Sequence, residues 1–144
     1  MTGFHFSLER VLHWRSLVLA SEEAKLRRLI EDEALLESKL NGIRKAVAEI
    51  PLLIAALDEI RGNDLNRIAA YRIRLMIEDD RISALCRDKR RAIAEQAEIH
   101  RQAKQRHRLL EELRRRRRDE WNVRMLRELD ELAHESYLSR WRPV

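Results

Sequence analysis

Apolar residues recur every seven positions along the first part of the chain, in two interleaved series. The series are Leu12, Leu19, Leu26, Glu33, Leu40, Val47, Ile54 and Leu8, Arg15, Glu22, Leu29, Leu36, Ile43, Ile50, Leu57. Because the two series are offset by three and four residues, they form the a/d stripe of a coiled coil. The pattern predicts a first helix over about residues 7–60 that begins at Ser7, a good N-cap residue.

A second pair of series follows but is more polar. Its members are Ile68, Leu75, Ile82, Lys89, Gln96, Ala103, Leu110 and Tyr71, Glu78, Leu85, Ala92, Ile99, Arg106, Leu113. The pattern predicts a second helix over about residues 65–140. Polar members such as Lys89, Gln96 and Arg106 would loosen the packing of the two helices or fix their register.

The two predicted helices are separated by Arg61-Gly62-Asn63-Asp64. Gly and Asn tolerate the left-handed backbone of a helix end, and Asp64 is a suitable N-cap residue, so a turn is expected at about residues 61–64. Pro51 removes a backbone hydrogen bond and predicts a kink or break in the first helix. The expected fold is therefore all-α: one antiparallel coiled-coil hairpin over residues 1–144, with the second helix longer than the first.

A turn at this position sets which residues face each other. Leu12 would face Leu113, Glu9 would lie near Arg114–Arg118, and Glu37 would lie near Lys89. Glu22 would lie near Ala103 and Lys104. Beyond about Arg118 the second helix would have no partner from the first, although Phe4 and Phe6 could cover its first turn or two.

The uncovered part of the second helix is the main candidate site. A contiguous apolar stripe without cover usually marks a partner surface. The residues expected to bind a partner are Arg114, Arg115, Arg116, Arg118, Trp121, Met125, Leu129, Leu132, Tyr137 and Trp141.

Charge adds a second feature to the same region. The net charge is +5, and the excess of basic residues lies after Gly62. Five consecutive arginines, Arg114–Arg118, encircle the helix; we call them the arginine collar. One interpretation is a solvated stretch neutralised by i,i+4 pairs from Glu111 to Arg115, Glu112 to Arg116 and Glu120 to Arg124. The other is an electrostatic contact with an acidic protein or with nucleic acid.

The composition offers little for catalysis. The three glycines are isolated, so a phosphate-binding loop is not expected, and one cysteine, Cys86, cannot build a zinc site. Glu131 and His134 have the spacing found in di-iron bundles, but that site needs two such motifs. We therefore expect no enzyme activity, no cofactor and no metal. No secretory leader or membrane-spanning run is recognisable, and a single cysteine fits a reducing cytosol.

Short motifs along the chain resemble a known family. Phe4-x-Phe6-x-Leu8-Glu-Arg-Val-Leu12-His-Trp-Arg15 resembles the N-terminal signature of the flagellar export protein FliJ family. A central Gly-Asn break followed by Tyr71-Arg-Ile-Arg-Leu75 is similar to that family, as is Leu129-Asp130-Glu131-Leu-Ala133 after a basic stretch. The chain length is also similar.

The resemblance implies a cytoplasmic stalk of a flagellar type III protein export apparatus, peripheral at the cytoplasmic face of the inner membrane. Members of the family bind the hexameric export ATPase through their two chain ends, contact the cytoplasmic domain of the export gate protein FlhA, and escort export chaperones. Near the turn, the resemblance makes Tyr71 a further candidate for partner binding. Two alternatives remain. One is the stalk protein of an injectisome ATPase, and the other is a basic coiled coil that binds nucleic acid or the ribosome.

Overall fold

The computed structural model describes residues 2–59 and 61–141. Two α-helices account for most of them: α1 (Glu9–Ala55) and α2 (Gly62–Arg140). No strand occurs among these residues. The helices pack against each other in antiparallel order, since Glu9 near the start of α1 contacts Arg114 and Arg44 near its end contacts Asp79. The predicted all-α hairpin, with the longer helix second, is confirmed.

The first helix continues through Pro51 but ends sooner than predicted. Pro51 is exposed and lies inside α1, so of the predicted kink or break, no break occurs at this residue. Because proline has no N–H, one carbonyl of the preceding turn loses its partner. The helix ends at Ala55 rather than near residue 60. Asp58 and Glu59 follow, and negative charge is unfavourable at the carboxyl end of a helix.

The loop lies before Gly62 rather than around it, so the predicted turn at 61–64 is displaced. Among the described residues no glycine has a positive φ, and Gly62 is the first residue of α2. The Arg61 carbonyl accepts hydrogen bonds from the N–H groups of Asp64 (3.0 Å) and Leu65 (3.2 Å). Arg61 therefore occupies the N-cap position. Asp64 lies in the first turn, where its negative carboxylate interacts favourably with the positive end of the helix dipole.

The seam, meaning the a/d contact stripe between the two helices, follows the prediction closely on α1. Every predicted member except Leu8 is buried or half-buried, with Leu12, Leu40 and Ile50 the most enclosed. On α2 the first series also faces inward. The second series is correct only in part: Glu78, Ala92 and Leu113 are half-buried, but Cys86 is 2% exposed, whereas the predicted Leu85 is 39% exposed.

The same shift continues along α2. Ile93, His100 and His107 are half-buried, while the predicted Ile99 and Arg106 are exposed. The inner face therefore combines short, polar and aromatic side chains that an apolar-residue pattern does not detect. Packing against α1 decides which face lies inside, and it overrides the placement of individual aliphatic residues.

The chain divides into two compact units. The terminal unit comprises Met1–Ser21 and Arg101–Val144, and the loop unit comprises Glu22–His100. In the loop unit Leu40, Ile82 and Cys86 form a buried cluster, against which Leu36 and Ile43 pack. In the terminal unit the buried residues are Phe6, Leu12 and Ala103.

Polar contacts fix the helix register in the loop unit. Arg90 donates to Glu33 and to Glu37, each at 2.9 Å, and Lys89 lies 3.3 Å from Asp32. The predicted position of Glu37 near Lys89 is thus correct to within one residue. The two carboxylates, Glu33 first and then Glu37, raise the pKa of the Arg90 guanidinium above its ordinary value.

Glu22 makes the most enclosed polar contact of the seam. Gln96 Nε2 donates to the Glu22 carboxylate and, at 3.1 Å, to its backbone carbonyl. Glu22 was expected near Ala103 and Lys104, so its partner lies nearer the loop than predicted. Both side chains are long, and together they span the axial offset. The bond from Gln96 is the main cause that lowers the pKa of the Glu22 carboxyl below its ordinary 4.5, and Lys25 adds to it.

The helical conformation of Gly62, the first residue of α2, leads to a stability prediction. A Cβ added at Gly62 would meet no atom within 4 Å, and the same holds for Gly42 in α1. Gly62→Ala should therefore raise the free energy of unfolding by about 0.5–1 kcal/mol, because alanine loses less backbone entropy. Gly42→Ala is the matched control and should give a similar gain in urea unfolding. If only Gly62→Ala lowered the stability, residue 62 would have to adopt a left-handed conformation, which contradicts its place in α2.

The Glu22–Gln96 contact predicts a pH effect. Since the pKa of Glu22 is lowered in the folded chain, its contribution to stability is complete above pH 4.5 and is lost as the pH falls through the folded pKa. Gln96→Ala should shift the Glu22 pKa upward, towards 4.5, in a carboxyl-carbon NMR titration. The variant should also lose less stability than the parent chain on acidification from about pH 6 to about pH 3. An unchanged Glu22 pKa would contradict the hydrogen bond.

Candidate partner-binding surface

The N-terminal segment covers one part of α2 in the terminal unit. The Phe4 and Trp121 rings pack in a tilted arrangement, with centroids 6.2 Å apart. Phe6 is buried, and a groove lies between this segment and α2, where Leu113 and Arg117 line its other side. The prediction that Phe4 and Phe6 cover only the start of the unpaired helix is therefore confirmed, and Trp121 is half-buried rather than free.

Beyond Trp121 the second helix carries apolar side chains without cover. We call residues 122–141 the overhang. Met125 is half-buried, and every described side chain after it is exposed. The large exposed apolar residues, from 46% to 72% exposed, are Val123, Leu126, Leu129, Leu132, Tyr137, Leu138 and Trp141. The sequence-predicted residues Met125, Leu129, Leu132, Tyr137 and Trp141 all lie here.

Most apolar residues of the overhang lie on one broad helix face. At about 100° per residue, Met125, Leu126, Leu129, Leu132, Ala133 and Tyr137 fall within an arc of about 140°, whereas Val123, Leu138 and Trp141 lie outside it. Tyr137 and Trp141 contact each other, with ring centroids 6.2 Å apart. The opposite face carries charged residues, including Arg127 and Glu131. The overhang is therefore an amphipathic helix with an apolar face that is open to a partner.

The arginine collar precedes this face, and all five of its side chains are exposed. Arg114 Nε lies 3.2 Å from Glu9 Oε2, which confirms the predicted approach of Glu9 to the collar. The predicted i,i+4 neutralisation is wrong for the described residues. Glu111 lies 3.7 Å from His107 instead, and no ion pair joins Glu112 to Arg116 or Glu120 to Arg124. Exposed pairs of this kind contribute too little to hold two long side chains together.

Four guanidinium groups of the collar therefore remain available. Within the described part of the chain Arg115, Arg116, Arg117 and Arg118 form no ion pair. Arg117 lines the groove beside the N-terminal segment, whereas the other three project from α2. An acidic surface can bind these groups without first displacing an internal carboxylate.

Tyr71, the remaining predicted site residue, lies in the loop unit and is 38% exposed. Ile73, Met76 and Ile77 near it on α2 are more exposed than Tyr71. The sequence interpretation missed them because they lie outside its predicted contact series. At about 100° per residue these three side chains lie roughly 120–160° around the helix from Tyr71, so Tyr71 is exposed in the loop unit on a different face of α2.

A second feature missed from sequence is a groove of about 520 Å³ on the loop unit. Leu35 and Leu85 contribute much of its apolar lining, and Asp32, Lys39, Asp88 and Lys89 surround it. Leu35 lies off the predicted series, and Leu85 was assigned to the interior. The groove would have been expected from the sequence only if Cys86, rather than Leu85, had been placed in the contact stripe of α2, because Leu85 then faces outward.

The described residues contain no obvious centre for metal chemistry or membrane insertion. Within them no group of three or more His, Cys, Asp or Glu side chains could hold a metal ion. Neither helix, over the part that the structure describes, has a stretch apolar enough to cross a bilayer.

Comparison with known proteins gives no match: no family model, no curated protein and no solved structure matches the chain. The likeness to the FliJ family therefore depends on the N-terminal, central and C-terminal motifs alone. Phe6 and Leu12 of the N-terminal motif are buried, and Phe4 contacts Trp121. These positions of the motif thus have a structural role in this chain.

Proposed function

We propose that the chain is a non-enzymatic stalk protein of a flagellar type III export apparatus. In this role it binds the hexameric export ATPase at the cytoplasmic face of the inner membrane. The observation that carries the proposal is the overhang: an amphipathic helix with an uncovered apolar face, close behind four arginines that form no ion pair within the described residues. Such a surface suits a ring opening that offers both apolar and acidic contacts.

The terminal unit supports the proposal by holding the N-terminal segment against α2 just before the overhang. The Phe4–Trp121 contact and the Glu9–Arg114 ion pair hold the N-terminal segment against α2. Family members enter the ATPase ring with both ends, and this arrangement is compatible with that mode. Contact with the gate protein FlhA and with export chaperones would then fall to the loop unit, where Tyr71, Ile73 and Ile77 are exposed.

The second candidate function is binding to nucleic acid or the ribosome. The unpaired collar arginines favour it, since free guanidinium groups bind phosphates readily. Acidic residues adjoin the collar on both sides, and the nearest exposed face is aliphatic rather than aromatic. An acidic protein surface therefore fits the region better. An injectisome ATPase remains an alternative within the same class as the leading proposal.

Substitutions in the overhang test the leading proposal. The combined variant Leu126→Gln, Leu129→Gln and Leu132→Gln should weaken binding to the export ATPase of the same genome by at least about tenfold, because these apolar side chains would become buried on binding. The matched control, Glu128→Gln with Glu131→Gln, changes residues outside the apolar face and should bind within about twofold of the parent chain. Isothermal titration calorimetry provides the affinities.

Two results of that experiment would contradict the proposal. One is an absence of binding by the parent chain to the flagellar ATPase, and the other is unchanged affinity of the leucine variant. Binding to an injectisome ATPase in its place would select that alternative. Binding to RNA with a steep salt dependence, and none to either ATPase, would select the nucleic-acid function.

The collar has its own test. Arg115→Glu with Arg116→Glu should reduce ATPase affinity by about tenfold while the circular dichroism spectrum stays unchanged, because neither arginine stabilises the fold through an ion pair. Arg27→Glu with Arg28→Glu is the charge-matched control on α1, where both residues are also exposed. If the two double variants bound the ATPase with equal affinity, the collar would be solvated surface without a specific role in binding.

A further inference from the structure

The part of α2 that precedes the overhang is strongly basic, and the collar is only its end. Residues 101–118 contain nine basic and two acidic residues, and all nine basic side chains are exposed. Most of these cations form no ion pair among the described residues: Lys104, Arg106, Arg108, Arg115, Arg116, Arg117 and Arg118. Unpaired positive charge therefore extends from the collar back towards Lys104.

Helix geometry places four of these cations on the same side of α2 as the apolar face of the overhang. At about 100° per residue, Lys104, Arg108, Arg115 and Arg118 fall within an arc of about 80°. That arc lies inside the arc of about 140° that holds the apolar face. We call these four residues the basic row. At 1.5 Å per residue the row is about 21 Å long, and the apolar face continues it along the same side of the helix.

The remaining unpaired cations point elsewhere. Arg106 and Arg117 lie about 140–160° around the helix from the centre of the basic row. The row itself is not purely basic, since Glu111 falls within its arc and Asp119 borders it. The Glu111 carboxylate lies 3.7 Å from His107 Nε2 and forms no ion pair with a cation of the row. The row therefore keeps an excess of positive charge.

The arrangement of cations followed by apolar residues along one side of α2 distinguishes between partners. A nucleic acid would match the basic row, but its phosphates offer nothing to the apolar face. An anionic bilayer would meet both parts, but residues 122–141 contain four acidic and three basic residues, so the apolar part gains no attraction to anionic lipid. A folded protein that carries acidic side chains beside an apolar contact matches both parts.

We propose that the partner of the overhang also binds the basic row, through acidic side chains on this one side of α2. The inference rests on the proposed function for the identity of that partner, the export ATPase. It extends the contact surface from the collar to Lys104 and Arg108, which the sequence did not indicate. The opposite side of the same segment, with Arg106 and Arg117, is not part of the contact.

Two single charge reversals in the full chain test this one-sided contact. Arg108→Glu should raise the dissociation constant for the ATPase by about tenfold at about 50 mM salt, because repulsion replaces attraction. Arg106→Glu is the matched control. It changes the same residue type two positions away, also exposed and without an ion pair, but about 160° around the helix. It should change the dissociation constant by less than about twofold.

Two further measurements separate a specific contact from a loss of structure. Circular dichroism should show both variants to be as helical as the parent chain, and their affinities should converge at about 500 mM salt, where exposed charges are screened. Glu111→Gln removes the acidic group from the arc of the row and should lower the dissociation constant by about threefold, a gain that partial unfolding does not produce. An unchanged or higher dissociation constant in Glu111→Gln would contradict the basic row.

The outcomes distinguish this inference from the proposed function. Equal affinities of Arg108→Glu and Arg106→Glu, together with weaker binding by the leucine variant of the overhang, would overturn the basic row and leave the proposed function intact. An absence of binding by the parent chain would remove both. Binding to vesicles that contain phosphatidylglycerol, lost in Arg108→Glu while ATPase affinity stays unchanged, would assign the row to lipid and overturn the protein contact.

Discussion

The whole structure depends on a single seam, because two helices cannot enclose a three-dimensional core. No described side chain is exposed by less than 2%, and few fall below a tenth. Stability therefore comes from a line of half-buried contacts, of which Leu40, Ile82 and Cys86 form the densest part. Beyond the end of the first helix and its N-terminal segment, no part of the described chain covers the second helix. The length of α1 and its N-terminal segment thus decides where a binding surface can exist.

Much of this arrangement is encoded in the sequence of α1. Its heptad stripe is strongly apolar, and the structure buries nearly all of it. The face of α2 is encoded less clearly, since Lys89 and Gln96 lie inside and Leu85 lies outside. Packing against a strong partner stripe can turn a weakly patterned helix by one residue. The exposed overhang was predictable because it depends on the difference in length between the two helices. An error of one residue in the buried face of α2 does not change that difference.

The turn and the ion pairs show where pattern reasoning is weaker. Gly62 suggested a left-handed turn, yet it begins a helix whose cap is formed by the Arg61 carbonyl. The glutamates beside the collar suggested i,i+4 pairs, yet the carboxylate that reaches an arginine there is Glu9 of the other helix. In both cases the residue type permits the predicted local structure, but a different hydrogen bond or ion pair forms instead.

The continuity of α2 has a consequence for how its free end is ordered. An isolated helix of about 20 residues is marginal in water, because its first turn must be nucleated at an entropic cost. Residues 122–141 extend a helix that is already packed against the first one, so they only propagate existing turns. A molecule that docks on this end meets a preformed helix and need not order it. Recognition should consequently be fast and close to rigid-body in character, unlike that of a segment that folds on binding.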